Sequence, residues 1–149
     1  MKFKLLAIST FSLALPLGIW LSVNALSTPD IDVVSNYNLG TVVKGKVAVA
    51  NLPLRNTGNA PLKVEAISTS CGCTSAKLSS MTISPGGQAN LHIEYDSNAH
   101  ESDRGALERY VFISSNDPKD KDLQIKLSVF VEGKPTSMIS KKKVTLSIP

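Results

Sequence analysis

The chain has 149 residues, 42% of them hydrophobic, and a formal net charge of +4, which fits one folded domain and excludes a chain that is disordered over most of its length. Residues 26–132 contain all twelve acidic residues but only ten of the sixteen basic ones, so the positive excess lies at the two ends of the chain. Because the presumed domain lacks clustered Lys and Arg, a nucleic-acid-binding face is not predicted.

The first element is a membrane-directing segment. Two lysines within residues 1–4 precede the uncharged run 5–23, a pattern that directs a chain to a membrane and is long enough for one spanning helix. Ala25 ends a sequence that resembles a signal-peptide cleavage site, so an uncleaved anchor and a secreted, cleaved form remain alternatives. In both cases the lysines predict a cytoplasmic N-terminus and export of the remaining chain.

Residues 26–133 alternate between apolar and polar side chains over short runs, as strands with one buried face do. The predicted strands are 31–34, 39–43, 47–55, 62–66, 89–96, 110–115 and 123–131. Pro53 has no backbone donor, which predicts an edge strand or a bulge. Clusters of turn-forming residues, such as Asn56 to Pro61 and Ser84 to Gly87, separate the strands. No helical period of useful length follows residue 25.

These elements predict an all-β, immunoglobulin-like antiparallel β-sandwich preceded by one N-terminal membrane-directing helix. The predicted division is 1–25 for the signal anchor or signal peptide, 26–133 for the sandwich and 134–149 for a basic tail. Leu62, Val64 and Ala66 are predicted to share a face. The predicted core between the sheets consists of Leu52, Leu54, Leu91, Ile93, Tyr95, Leu127 and Val129.

Both cysteines of the chain lie in Ser70-Cys71-Gly72-Cys73-Thr74. If this segment is extended, Cys71 and Cys73 project to the same side, with no side chain between them. The spacing leaves four alternatives open: a disulfide across one residue, a reversible dithiol, a metal site, or two small buried hydrophobic residues. A disulfide closed over one residue is expected to be easy to reduce.

Cu(I) is the metal that two neighbouring thiolates suit best. Cys71 and Cys73 are the candidate ligands, with Met81 and His92 as candidates for a third ligand. Zinc would require four ligands, which the chain does not readily supply.

Enzyme chemistry is not predicted. His92 and His100 are the two histidines, and the pattern places the first on a solvent face and the second in a polar loop. The sequence has no nucleophile elbow, no phosphate-binding loop before a helix and no paired carboxylates marked by context. We therefore expect no catalytic residues, no small-molecule substrate and no cofactor other than the Cu(I) alternative.

The chain resembles a bacterial domain family of unknown function, whose motif series reads NTG, CGCT, PG and SNDP. The matching residues are Asn56-Thr57-Gly58, Ala60-Pro61-Leu62, Cys71-Gly72-Cys73-Thr74, Ser84-Pro85-Gly86, Tyr95-Asp96 and Ser115-Asn116-Asp117-Pro118. The family is similar to Hydin-type and major-sperm-protein-like immunoglobulin folds, which act mostly in binding and scaffolding. The resemblance covers about residues 36–133 and implies a protein that is secreted or membrane-anchored.

The expected function is therefore that of an accessory or scaffolding subunit, which binds a protein partner in a membrane or envelope complex. Its expected location is the bacterial periplasm or cell exterior, either anchored to the inner membrane through residues 5–23 or secreted after cleavage at Ala25. The alternative function is a Cu(I)-binding or thiol-redox protein that uses Cys71 and Cys73.

Overall fold

The computed structural model describes residues 27–133, which form nine β-strands. Their bounds are β1 Ile31–Asp32, β2 Asn36–Val43, β3 Val47–Asn56, β4 Leu62–Thr69, β5 Thr74–Leu78, β6 Thr82–Ile83, β7 Gln88–Asp96, β8 Gly105–Ser115 and β9 Asp122–Glu132. The predicted membrane-directing helix and basic tail lie outside the described residues. Within 27–133, no helix has the length and apolar character needed to cross a membrane.

The strands form two sheets, as the sequence predicts. One sheet has four strands in the order β1-β3-β7-β5, and the other has five in the order β2-β9-β8-β4-β6. One pair differs from the predicted antiparallel arrangement, because β2 runs parallel to β9. Parallel neighbours need a long connection, and the chain from β2 to β9 supplies one that passes through both sheets.

All seven predicted core residues are buried, but they divide between two clusters. Leu52, Leu54, Leu91, Ile93 and Leu127 belong to the larger cluster in the middle of the sandwich. Tyr95 and Val129 belong to a smaller cluster, which also contains Cys73. The alternation in β3, β7 and β9 follows the predicted faces closely. The cysteines therefore pack in a satellite of the main core.

Strand β4 corrects one prediction. Its register against β8 shifts between Val64 and Ala66, which places Ala66 on the exposed face and lets Ile67 pack against the core. An extra residue at a bulge reverses the face of the residues that follow it. The prediction that Ala66 shares the face of Leu62 and Val64 is therefore wrong.

Pro53 lies in β3, and its backbone nitrogen faces the edge of that strand that has few hydrogen-bonding partners. Its partner across the ladder is Asn90, whose amide donates instead to Ser79 Oγ at 2.9 Å. The nitrogen of Pro53 therefore points away from β7, and β1 covers that side of β3 only at Arg55 and Asn56. This position fits the expectation of an edge, where the missing donor costs no ladder hydrogen bond.

One end of the sandwich is held by the buried side chain of Asn56. Its Nδ2 donates to the carbonyl oxygens of Ala60 and Ile83 at 2.8 and 2.9 Å. Its Oδ1 accepts from the amides of Asp30 and Gly58 at 3.3 and 3.1 Å. The side chain therefore connects the loop after β3 to β6 and to residues 28–31, which we call the N-terminal segment. We call this the Asn56 end.

The carboxylate of Asp117 fastens the same N-terminal segment. Its Oδ2 accepts from the amide of Ile31 at 2.7 Å, and its Oδ1 accepts from the amides of Lys119 and Asp120 at 2.8 and 3.3 Å. Three polar segments of the chain, around Asn56, Gly86 and Asp117, thus have structural roles at the Asn56 end. The cysteine segment has no such role there, because it lies at the other end.

Candidate functional site

The cysteines lie in the turn that joins β4 to β5, which belong to different sheets. Cys71 and Cys73 form a disulfide, with their Cα atoms 5.2 Å apart. Residues 70–73 are not extended as predicted, because the chain must reverse here to pass from one sheet to the other. The turn is closed by the amide of Thr74, which donates to the carbonyl oxygen of Cys71 at 3.3 Å.

The two sulfurs have different environments. Cys73 is only 2% exposed and packs among Tyr95, Val129 and Val131, whereas Cys71 is partly exposed at the rim of the same cluster. The hydroxyl of Thr74 lies 3.5 Å from Cys71 Sγ and 3.8 Å from Cys73 Sγ. The disulfide therefore has a buried side at Cys73 and an accessible side at Cys71.

Arg109, on the inward face of β8, contacts the buried sulfur. Its Nε donates to Cys73 Sγ at 3.1 Å, and its Nη2 donates to both carboxylate oxygens of Asp103 at 2.8 and 2.9 Å. Its Nη1 donates to the carbonyl oxygen of Glu108 at 2.9 Å. All three guanidinium nitrogens are thus engaged, so the position of the cation beside the sulfur is well defined.

Asp103 and Tyr95 hold Arg109 in place. Asp103 lies in the loop between β7 and β8, which is fixed by hydrogen bonds from Lys44 Nζ to the His100 carbonyl and from the Asp103 amide to the same carbonyl. The Tyr95 hydroxyl donates to Asp103 Oδ2 at 2.9 Å, and the guanidinium carbon of Arg109 lies 5.8 Å from the centre of the Tyr95 ring.

The ionisation of this network follows from burial and hydrogen bonding. Burial and the neighbouring Asp103 carboxylate raise the pKa of Tyr95 to about 12. Burial alone would raise the pKa of Asp103, but hydrogen bonds from Tyr95 and Arg109 and the positive charge of Arg109 outweigh it and lower that pKa. At neutral pH the site thus contains a neutral phenol, a carboxylate and a guanidinium.

Such an arrangement favours thiol–disulfide chemistry more than metal binding. A cation next to a sulfur stabilises the thiolate that is released when a disulfide is opened, and a disulfide breaks faster when its leaving sulfur is stabilised as a thiolate. In the disulfide state neither sulfur is a thiolate ligand for a metal.

The structure does not bring the four predicted metal ligands together. His92 pairs with Lys77 on β5, three positions from Thr74, so it lies about 10 Å along the strand from the cysteine turn. It also projects from the outer face of its sheet, whereas Cys73 packs inside. Met81 is hydrogen-bonded through its carbonyl to the amide of Val64, near the start of β4, and the cysteine turn follows the other end of that strand.

Both ring nitrogens of His92 already have partners. Nδ1 lies 2.9 Å from Asn51 Oδ1, and Nε2 lies 3.1 Å from Glu94 Oε1. Among residues 27–133, no group of three or more His, Cys, Asp or Glu side chains is arranged to hold a metal. Met81 and His92 therefore join no common site with the cysteines.

Sequence reasoning missed Asp103 and Arg109 as members of the site. A signal for Arg109 existed, because it alternates with Leu107, Val111 and Ile113 on the buried face of β8, where a charge requires a partner. The strand predicted from the alternation starts at Tyr110, one residue after Arg109, and so excludes Arg109. Asp103 lies in an irregular loop, and the sequence gives no comparable signal for its position.

The outer face of the five-stranded sheet carries an aromatic pair next to the cysteine turn. The rings of Tyr110 and Phe112 stack with their centres 6.4 Å apart, and Phe112 is 40% exposed. The Tyr110 amide donates to Ser70 Oγ at 3.0 Å, and the Ser70 amide donates to the Tyr110 carbonyl at 2.9 Å. We call Tyr110 and Phe112, with Ala66 and Ser68 beside them, the aromatic platform.

Three solved structures illustrate the fold. A protein of unknown function from Porphyromonas gingivalis W83 matches with a TM-score of 0.66 and 22% identity over 75% of this chain and 51% of that one, so this chain spans about half its length. The ASH/PapD-like domain 7 of human CEP192 matches with 0.54 and 14% identity, over 85% of this chain and 98% of that domain. The secreted serine protease VesC from Vibrio cholerae matches with 0.52 and 16% identity, over 68% and 23%.

At these identities the three structures support the all-β, PapD-like and immunoglobulin-like fold, and the fold alone. A comparison with curated protein sequences finds no match. One family model matches residues 32–131, most of the sandwich. The chain therefore belongs to the family described as "Protein of unknown function (DUF1573)".

Proposed function

We propose that the chain is a protein-binding module that works outside the cytoplasm, as an accessory or scaffolding subunit of a membrane or envelope complex. The observation that carries this proposal is the aromatic platform. Tyr and other aromatic side chains are enriched where protein interfaces gain most of their energy, and a ring exposed on a rigid sheet loses little entropy on binding.

The outer face of the four-stranded sheet offers less to a partner. Its centre is occupied by a hydrogen-bonded polar group of Asn51, Asn90, His92 and Glu94. Around Phe112 the platform is bordered by Ser114 and Gln124, with Asp122 as the one charged side chain of that cleft. At Tyr110 it is bordered by Glu108, which accepts a hydrogen bond from the Tyr110 hydroxyl at 3.1 Å, and by Lys126, which forms an ion pair with Glu108. An aromatic centre with a mixed polar border, and without a cluster of basic residues, favours a protein partner over an anionic polymer.

The test uses the full chain, gently solubilised from its native membranes. We expect the wild-type chain to co-purify with a protein partner. Phe112→Ser should raise the dissociation constant of that complex at least about tenfold, as removal of a strong interface residue does. Val49→Ser is the matched control, because Val49 is a similarly exposed hydrophobic residue on the other sheet. Migration of the wild-type chain as a free monomer would refute the proposal.

Export is proposed from the basic start and the apolar run at residues 5–23. The expected location is the periplasm or the cell exterior, with the N-terminus either retained as an anchor or removed after Ala25. Mass spectrometry of the purified chain distinguishes the two forms, since the cleaved protein begins at Leu26. A domain accessible to protease only from the cytoplasmic side would contradict export.

Thiol–disulfide exchange is a second candidate function, favoured by the 3.1 Å contact between Arg109 Nε and Cys73 Sγ. In the test, the protein is equilibrated in mixtures of reduced and oxidised glutathione, and the fraction of molecules with a closed Cys71–Cys73 disulfide is measured. A working pair opens and closes reversibly across these mixtures, whereas an inert disulfide stays closed until the protein unfolds.

Binding of Cu(I) remains a prediction for the reduced pair alone, without Met81 and His92. Titration of the reduced chain with Cu(I) in competition with a chelator tests it. The absence of tight one-to-one binding would end the metal hypothesis and leave the redox one unaffected.

A further inference from the structure

We infer that Cys71 is the sulfur that exchanges with a partner's dithiol, and that Cys73 is the leaving sulfur, held as a thiolate by Arg109. This inference rests on the second candidate function and adds to it the role of each sulfur and of the network behind them.

Accessibility to solvent identifies Cys71 as the sulfur that is attacked. Thiol–disulfide exchange needs an incoming thiolate in line with the bond that breaks, so the attacked sulfur must be reachable from solvent. Cys71 lies at the rim of the turn and is partly exposed, and apart from the two cysteines no atom lies within 4 Å of the position where a side chain on Gly72 would begin. Cys73 is enclosed by Tyr95, Val129 and Val131. An incoming thiolate therefore meets Cys71 first.

The charge of Arg109 identifies Cys73 as the leaving sulfur. The Nε–H group of Arg109 donates a hydrogen bond to Cys73 Sγ. Hydrogen bonds between charged groups are stronger than those between neutral groups, so this contact stabilises a thiolate more than a thiol. The carboxylate of Asp103 opposes this effect, but it lies beyond the guanidinium, on Nη2. Glu94 and Asp96 line the shallow cleft at Cys73 and are exposed, so solvent screens their charges. The nearest charge thus favours a thiolate at Cys73.

The proposed exchange with a protein dithiol has two steps. One thiolate of the partner attacks Cys71 Sγ, which forms a mixed disulfide with Cys71 and breaks the Cys71–Cys73 bond, so that the electron pair leaves on Cys73. The second thiolate of the partner then attacks the partner's own sulfur and releases Cys71, which takes a proton from water. The partner is oxidised by two electrons and the chain is reduced by two.

Asp103 and Tyr95 are positioning residues in this scheme. Asp103 accepts two hydrogen bonds from Nη2 and so fixes the direction in which Nε points, while the Tyr95 hydroxyl holds Asp103. The aromatic platform adjoins the turn through the hydrogen bond between Tyr110 and Ser70, so a protein bound there would lie beside the cysteine turn.

The first experiment assigns the sulfurs, with glutathione disulfide as the probe. Each single variant, Cys71→Ser and Cys73→Ser, is reduced, mixed with the probe and followed by mass spectrometry. We expect Cys73→Ser, which retains Cys71, to form the mixed disulfide at least about tenfold faster, because its thiol is accessible. In urea the two rates should converge. Equal rates in the folded proteins would overturn the assignment.

The second experiment tests Arg109 by following the ultraviolet absorbance of the Cys73 thiolate against pH in the Cys71→Ser background. Adding Arg109→Met should raise the pH midpoint by about one unit or more, since an opposite charge this close favours the ionised form. Arg109→Lys should give an intermediate midpoint. Arg55→Met, which removes an exposed arginine from the outer face of β3, should leave it unchanged.

An unchanged midpoint in both Arg109 variants would overturn the role of Arg109. If Arg109→Met does not fold, Arg109→Lys decides alone, because it keeps the charge and loses the fixed Nε–H. A wild-type disulfide that never equilibrates with glutathione would instead refute the second candidate function. A disulfide that equilibrates in the wild type while the two cysteine variants react equally would refute only the assignment made above.

Discussion

At the scale of single residues, the buried polar side chains of this chain divide into two kinds. Asn56 and Asp117 bind backbone groups and hold segments together. Tyr95, Asp103 and Arg109 bind mainly one another and a cysteine sulfur. Because a buried charge is costly unless it is paired, both kinds affect stability, but only the second can influence sulfur chemistry.

Tyr95 should make the protein sensitive to alkaline pH. Its pKa is raised to about 12 in the folded state, above the value of about 10 for an unfolded chain, so its contribution is complete below pH 10 and is lost as pH rises towards 12. We expect a loss of about 2–3 kcal/mol in the free energy of unfolding over that interval. Urea unfolding at several pH values measures it.

Tyr95→Phe should be less stable at pH 8 but should lack this additional alkaline loss. Tyr37→Phe is the matched control, since Tyr37 is only partly buried, and should retain the wild-type pH dependence. The same alkaline loss in Tyr95→Phe would show that other groups cause it.

Asp117 should matter at the acid end. Burial alone would raise its pKa, but three backbone amides and the charge of Lys119 lower it, so its contribution is present above about pH 4 and is lost as pH falls through the folded-state value. Asp117→Ala leaves the amides of Ile31, Lys119 and Asp120 without their acceptor. We expect a loss of about 2–3 kcal/mol at pH 7 and a weaker pH dependence in acid.

Chemical denaturation of Asp117→Ala at pH 7 and at pH 3 measures both effects. Asp120→Ala is the control, because the Asp120 side chain is exposed, and it should lie within about 0.5 kcal/mol of wild type. An equal loss in both variants would mean that the hydrogen bonds of Asp117 contribute little.

At the scale of elements, alternation in the sequence predicts the strands well where one face is buried and the other is solvated. Strands β3, β7 and β9 follow the predicted pattern from end to end. The failures have local causes. The bulge after Val64 reverses a face without any change in composition, and the turn at the cysteines is set by the passage between sheets, a contact that local patterns do not encode.

The candidate site could be predicted only in part for the same reason. Cys71 and Cys73 are two residues apart in the sequence, so the sequence alone predicts that they act as a pair. Arg109 contacts the disulfide from β8, and Asp103 holds Arg109 from the loop before that strand. Met81 and His92, the residues that the sequence offers as further metal ligands, lie in other parts of the sandwich. Which distant side chains meet depends on register, and register follows from the whole fold.

Two glycines in two turns should respond oppositely to the same substitution. A methyl group on Gly58 would meet the backbone of Thr28 and lie 2.6 Å from the Asp30 nitrogen, so the loop at the Asn56 end would have to move. Gly72 has nothing within 4 Å and does not adopt a left-handed conformation. We expect Gly58→Ala to cost about 1–3 kcal/mol and Gly72→Ala less than about 0.5 kcal/mol, measured by thermal and urea unfolding. Similar costs would contradict the close approach at Gly58.

At the scale of the whole molecule, the two ends of the sandwich have different tasks. The Asn56 end binds the N-terminal segment and closes the main core through side chain to backbone hydrogen bonds. The other end has a smaller core, a disulfide with one accessible sulfur, and the aromatic platform beside it. The stability of the fold therefore depends mostly on the first end and on the main core, which leaves the second free to change its covalent state.

Reduction of the disulfide should accordingly leave the fold intact. A crosslink between Cys71 and Cys73 closes a loop with one intervening residue, and the chain-entropy relation gives such a small loop only about 1–2 kcal/mol of stabilisation. Nineteen buried hydrophobic residues besides Cys73 form the two core clusters, and none of them takes part in the bond. Chemical reduction is preferred to substitution here, because replacement of the buried Cys73 would also disturb packing.

We expect the reduced protein to keep its β-sheet circular dichroism and cooperative unfolding, with a melting temperature lower by about 5–15 °C, as a loss of 1–2 kcal/mol gives in a domain of this size. The oxidised protein under the same conditions is the control. Global unfolding on reduction would identify the disulfide as a structural staple, and a staple whose loss unfolds the domain could not open and close in the folded state as the exchange with a partner dithiol requires.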